Sequence, residues 1–182
     1  SDYANELLLM FSKYFFQKNR PEQAKIYLDK LVANQLQEVQ NPELDLLKRL
    51  ELATRLGEEY NLLEDFQTGE QWLNQALRLM EDIPEQKKNY HLRILREKGL
   101  AAFEQGKYRR ALSSDLKVNY LDKNLNPDQK YILSLRIAQS YQKLKRSREA
   151  KAILTKMLKE FDDESRRLEI KSRIKLLQEK QS

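Results

Sequence analysis

The 182-residue chain contains no cysteine. Disulfides, thiolate metal sites and cysteine nucleophiles are excluded with it. Histidine occurs once, as His91, so the paired imidazoles of common zinc sites are missing and no metal is expected. Glycine and proline number four each, too few for the many tight turns of an all-β fold. No apolar run approaches the roughly 20 residues that a membrane-crossing helix needs; the longest, Leu7 to Phe16, is broken by Ser12 and Lys13. There is no Gly-rich phosphate loop and no Gly-x-Ser-x-Gly, so the motifs of nucleotide and acyl chemistry are missing as well. Acid pairs such as Glu58-Glu59 and Asp162-Asp163-Glu164 stand among other charges, where nothing shifts a carboxyl toward acid–base work. The reading is of a non-enzyme without cofactor. A basic leader is not legible: Asp2 and Glu6 stand where its positive segment would be. The expectation is a soluble domain, cytoplasmic or bacterial periplasmic, cut from a longer protein.

What the chain does have is charge and periodicity. Charged residues make up 34% and hydrophobic residues 40%, and Glu, Lys, Leu, Gln and Arg, which lose little rotamer freedom in a helix, dominate. The net charge of +6 is segregated. Glu43, Asp45, Glu51, Glu58, Glu59, Glu64, Asp65 and Glu70 crowd one stretch, whereas Lys143, Lys145, Arg146, Arg148, Lys151, Lys156 and Lys159 crowd another. Such segregation bears on partners more than on fold.

The prolines read as helix starts, because the first turn is the one place in a helix where a missing N–H is not felt. Asn41-Pro42-Glu43 and Asn126-Pro127-Asp128 add an Asn cap and an acid, and Pro21-Glu22 and Pro84-Glu85 repeat the pattern with weaker caps. Between them, apolar residues recur at three and four: Leu8, Phe11 and Phe15; Ala24, Leu28 and Leu31; Leu50, Ala53, Leu56 and Tyr60; Leu73, Ala76 and Met80; Ile94, Leu95, Ala102 and Phe103; Leu112, Leu116 and Val118; Ile137, Ala138 and Tyr141; Ala150, Leu154 and Met157. A ninth helix over 164–180 carries a thin stripe of Leu168, Ile174 and Leu177. Gly57 and Gly99 fall inside helices, where glycine costs about 1 kcal/mol against alanine, so each predicts close approach of a neighbouring helix.

Ala53-x-x-Leu56-Gly57-x-x-Tyr60, followed by Gly69, Leu73, Ala76 and Pro84, resembles the tetratricopeptide-repeat pattern. Gly99 to Ala111 provides another copy, Ile137-Ala138-x-x-Tyr141 with Ala150 a third, and Phe11-Ser12-x-x-Phe15 with Ala24 a fourth. Ala24, Gly69, Ala111 and Ala150 align as small residues opening each second helix. Their spacing exceeds the usual 34 residues, and Asp115 stands where an apolar residue is expected. The ending Leu158-Lys-Glu-Phe161-Asp-Asp-Glu-Ser165 is similar to bacterial envelope-associated members of the family.

The resemblance implies one all-α domain over 1–182: a right-handed superhelix of four antiparallel helix pairs (3–40, 42–82, 84–124 and 127–161) and a capping helix, 164–180. It implies a protein-binding scaffold whose first helices line a concave groove. The groove residues would then be Leu9, Lys13 and Phe16; Thr54, Glu58 and Asn61; Arg93, Arg96, Leu100 and Phe103; Leu135, Gln139 and Gln142. Leu9, Lys13, Thr54 and Asn61 do not reproduce the Lys/Asn clamp by which some members hold a chaperone tail, so no such binding is expected. Arg93, Arg96, Leu100 and Phe103 share one helix face and predict a partner segment, extended or helical, that carries acids beside an apolar anchor. The alternative is a nucleic-acid or anionic-surface binder using the basic C-terminal half, which requires one continuous cationic stripe.

Overall fold

The computed structural model describes residues 2–41 and 45–179, which form α-helices, short turns and no strand. Helix, the short 3-10 turn at 84–86 included, makes up 86% of the described residues, as the lack of any strand period predicts. The helices are α1 (Asp2–Gln17), α2 (Pro21–Gln40), α3 (Leu46–Leu62), α4 (Phe66–Glu81), α5 (Lys87–Glu104), α6 (Tyr108–Leu121), α7 (Pro127–Lys143), α8 (Ser147–Glu160) and α9 (Glu164–Glu179). Two compact units are present, residues 1–97 and residues 98–182.

Pro21 and Pro127 are the first residues of α2 and α7. Asn126 completes a capping box: its side chain accepts from Gln129 N at 2.8 Å, and Gln129 Oε1 accepts from Asn126 N at 3.1 Å. Pro84 departs from expectation. It opens a 3-10 turn, Pro84–Gln86, and α5 begins only at Lys87. Ile83 precedes it and has no side-chain oxygen to cap an α-helical first turn. The helix start expected at Pro42 lies outside the described residues.

Four turns join the helix pairs, and they are built alike. Each has one residue in the left-handed region: Asn19 (φ 57°), Glu64 (61°), Gly106 (73°) and Lys145 (60°). The residue that follows donates its N–H back over five positions: Arg20 to Phe15 O, Asp65 to Tyr60 O, Lys107 to Ala102 O and Arg146 to Tyr141 O, at 2.8–2.9 Å. The left-handed residue itself donates to the carbonyl three back, Phe16, Asn61, Phe103 and Gln142 in turn. These paired bonds are a Schellman motif, which satisfies carbonyls that the helix end leaves open.

Five residues past each left-handed position stand Ala24, Gly69, Ala111 and Ala150, the fourth residue of α2, α4, α6 and α8, all buried. They are separated by 45, 42 and 39 residues. Opposite them on the first helices stand Ser12, Gly57, Gly99 and Ala138, also buried. Ser12 Oγ donates to Ala24 O at 2.9 Å. A Cβ on Gly57 would lie 2.5 Å from Leu73 Cγ and 3.2 Å from Gly69 O. The two internal glycines therefore mark close helix crossings, as their cost requires.

In the unit of residues 1–97, Leu50, Ala53, Leu56, Leu73, Ala76 and Ile94 share one core, and Leu9, Leu28, Leu31 and Tyr60 share another. In the unit of residues 98–182, Leu135, Ala138, Leu154, Met157 and Phe161 pack with Ile170 and Leu177. Three expected stripe residues are exposed. Leu168 is 61% exposed, and Ile170 takes its place, because 170, 174 and 177 keep true helical spacing whereas 168 to 174 does not. Phe11 and Leu116 are also largely outside; Leu9 and Ser12 face the core of α1 instead, and Asp115 that of α6.

Candidate partner-binding faces

The expected site residues fall at equivalent places in the four first helices. Phe16, Asn61, Phe103 and Gln142 each supply the carbonyl that accepts from the left-handed turn residue. Lys13, Glu58, Leu100 and Gln139 lie three residues earlier, and Leu9, Thr54, Arg96 and Leu135 four earlier again. Leu9, Thr54 and Leu135 are buried, so this last position serves packing in three helices of the four.

In the unit of residues 1–97, the face is an ion-pair lattice. Lys13 Nζ lies 3.2 Å from Glu59 Oε2 and so ties α1 to α3. Arg93 reaches across from α5 to α3: Nε and Nη2 donate to the two carboxylate oxygens of Glu58 at 2.6 and 2.8 Å, and Nη1 donates to Glu51 at 3.3 Å. Tyr90 donates to Glu51 at 2.7 Å. Burial, and then the bond to Glu51, push the Tyr90 hydroxyl up to about 12. The Glu58 hydrogen bonds hold the Arg93 proton more tightly than usual, against the opposing effect of burial. Acid crowding in α3 is thereby neutralised by neighbouring helices.

Three of the expected site residues are held by bonds within the unit. Arg93 and Arg96 do not present two open guanidiniums. Arg93 is clamped by Glu58 and Glu51, and Arg96 Nε stands 3.7 Å from Glu97 Oε1. Asn61 is buried, and its amide donates to Glu97 O at 3.0 Å. Its side chain also fills the space beside Gly69, where a Cβ would come within 2.3 Å of Asn61 Oδ1. Phe16 is half-buried and, with Pro21, Leu28, Tyr60 and Leu63, lines a cleft of about 340 Å³.

In the unit of residues 98–182, Leu100, Phe103, Gln139 and Gln142 are each half-buried. Phe103 meets Tyr108 edge-on, with ring centroids 5.5 Å apart, and Lys143 Nζ lies 6.0 Å from the Tyr108 centroid. The end of α5, the start of α6 and the end of α7 thus converge. Beneath them lies a feature that the sequence marks only as an anomaly. Asp115 is fully buried, and Arg136 Nε and Nη2 donate to its two oxygens at 2.8 and 2.7 Å. Burial pushes the Asp115 carboxyl up, and Arg136 opposes that. Asp115 takes the place held by Leu28, Leu73 and Leu154 in the other second helices. Gly99 makes the room, since a Cβ there would lie 2.0 Å from Asp115 Oδ1 and 3.3 Å from Arg136 Nη2.

The arrangement offers contact surfaces and fixed charges, and among the described residues no cluster of acids and histidine is placed to hold a metal ion. No helix among them is long and apolar enough to cross a membrane. No protein-family model and no curated protein sequence matches the chain. Solved structures match it in fold. The nearly identical TPR-like repeats of a Podosopora anserina protein assigned as a kinesin light chain superpose with a TM-score of 0.72 at 17% identity, over 97% of this chain and 87% of that one. A single-substitution variant of the same protein gives 0.72 at 16% identity, with the same coverage. The chain therefore has a TPR-like fold, as its glycine and alanine register predicts.

Proposed function

We propose that the chain is a protein-interaction scaffold, and that the first-helix face of residues 98–182 receives a partner segment. The observation that carries this reading is the meeting of Phe103, Tyr108 and Lys143, with Leu100, Gln139 and Gln142 half-buried at equivalent first-helix positions. Half-exposed aromatic and aliphatic groups supply binding energy to a desolvated anchor. Two glutamine amides one helical turn apart offer donors and acceptors to a partner backbone, and Lys143 favours an acid beside the anchor. The partner is thus an extended or helical segment with an apolar residue flanked by acids. A TPR-like fold gives catalysis no part in this reading. In residues 1–97, Lys13 is paired with Glu59, and Arg93 with Glu58 and Glu51, so these charges shape a surface more than they recruit through it. The test compares capture by the wild-type chain and by a Phe103→Glu/Gln139→Glu variant, with thermal unfolding of both. Partners lost from the variant at unchanged melting temperature support the proposal; capture unchanged by the double substitution contradicts it.

A further inference from the structure

The second helix α6 has an outer face that the first-helix account does not use. Arg109, Ser113, Leu116 and Tyr120 recur at four, three and four, so they form one stripe along it. Leu116 is 37% and Tyr120 75% exposed. Near its start the stripe borders a cleft of about 470 Å³, floored by Leu112, Leu116 and Leu144 and flanked by Arg109 and Arg146.

The side chains that line this cleft carry positive charge and no acid. The only acid within α6 is Asp115, which is buried against Arg136. The acid nearest the cleft on α8, Glu149, is already bridged by Arg146 at 2.7 Å, and that bridge holds its carboxyl below the usual range. Arg146 also stacks over the Tyr141 ring at 4.8 Å, so its aliphatic stem and guanidinium plane form a fixed wall. Arg109, Lys117 and Lys145 have no ion-pair partner among the described residues. A partly exposed apolar floor beside the unpaired Arg109 is a poor structural economy: Leu116 stays wet and the Arg109 charge has no counterpart.

We infer that this cleft is a second docking surface, for an acidic protein segment that places one leucine-sized side chain on Leu112, Leu116 and Leu144. Arg109, on its wall, meets a carboxylate of that segment. A nucleic acid fits less well, because phosphate binding needs a continuous cationic track and stacking faces, whereas here the cations rim an apolar hole. The inference stands apart from the first-helix face, to which neither Arg109 nor Leu116 is assigned.

The test uses the full chain and fluorescent peptides of alternating Glu and Leu, with a matched peptide in which Ser replaces Leu. Short oligothymidylate and phosphatidylserine-containing vesicles are run in parallel. The expected result is saturable binding of the Glu/Leu peptide, weakened about tenfold by Arg109→Glu and similarly by Leu116→Asp, with the Ser peptide binding weakly to all forms. Far-ultraviolet circular dichroism and melting of both variants establish that they are folded. Equal binding of the Leu and Ser peptides overturns the inference. So does affinity unchanged by Arg109→Glu, or tighter, Arg109-dependent binding of the oligonucleotide or the vesicles.

Discussion

Asp115 and Arg136 form a two-point ion pair, 2.7 and 2.8 Å, at a helix crossing where the other three helix pairs place leucine. A buried pair of this kind adds little over well-packed apolar residues, but removing one partner strands the other. Asp115→Ala is expected to cost about 3–5 kcal/mol, read by urea unfolding. The double variant Asp115→Leu/Arg136→Met is expected to unfold within about 1 kcal/mol of wild type or to exceed it, since replacing a buried pair is often neutral. A double variant as unstable as Asp115→Ala would show that the crossing has no room for leucine.

The same pair sets a pH dependence. Burial raises the Asp115 carboxyl above its unfolded value, and Arg136 works against that rise. In Arg136→Met the opposition is gone. A group raised on folding contributes stability below its unfolded value, near about 3.9 for Asp, and loses it as pH climbs through the folded value. Arg136→Met should therefore regain stability, relative to wild type, as pH falls from 7 toward 4. Melting series of both proteins across that window check the sign, and a variant that loses further stability on acidification refutes it.

At the crossing of α3 and α4, Gly57→Leu should cost more than about 2 kcal/mol through overpacking and strain. Even a Cβ there meets Leu73 Cγ at 2.5 Å and the Gly69 carbonyl at 3.2 Å. A melting temperature unmoved by this substitution would refute the crossing.

The turns make a contrasting pair of expectations. Gly106 has φ 73° and nothing within 4 Å of a built Cβ. Gly106→Ala is thus expected to cost about 1–2 kcal/mol through backbone strain alone. Lys145 holds the same conformation without being glycine, and Lys145→Gly is expected to stabilise by up to about 1 kcal/mol. Asn19→Gly should change little, because asparagine tolerates this region. Chemical denaturation of the three variants checks the order.

Arg93→Glu should lower the melting temperature, because it sets a third acid against Glu58 and Glu51, where a two-point guanidinium now sits. Loss of partner capture in that variant reports on the α3–α5 clamp first. A melting temperature unchanged by Arg93→Glu would contradict this account of the lattice.

Much of the fold is legible in sequence because the repeat is marked by residues with steric necessity. Small residues at 24, 69, 111 and 150 set the crossings, and Gly57 and Gly99 declare theirs by standing in helices that penalise them. The left-handed positions are less visible, since only Gly106 among the four turn residues is glycine and Glu64 and Lys145 read as ordinary helix formers. The ion pairs are harder still: spacing places Glu51 and Glu58 on one face but does not say that Arg93 of another helix will meet them. Asp115 shows as a departure from the pattern, and only tertiary packing supplies Arg136. The α6 cleft was hidden because Leu116 reads as core by type and Leu144 sits in a turn.

The most direct measurement is site-specific photocrosslinking in the protein's own cells, with a photoreactive phenylalanine analogue at Gln139, at Phe103 or, as control, at exposed Thr155 on α8. The account predicts the same discrete crosslinked protein from Gln139 and Phe103, and its absence from Thr155. No crosslink from either first-helix position, or an identical pattern from all three, would contradict it.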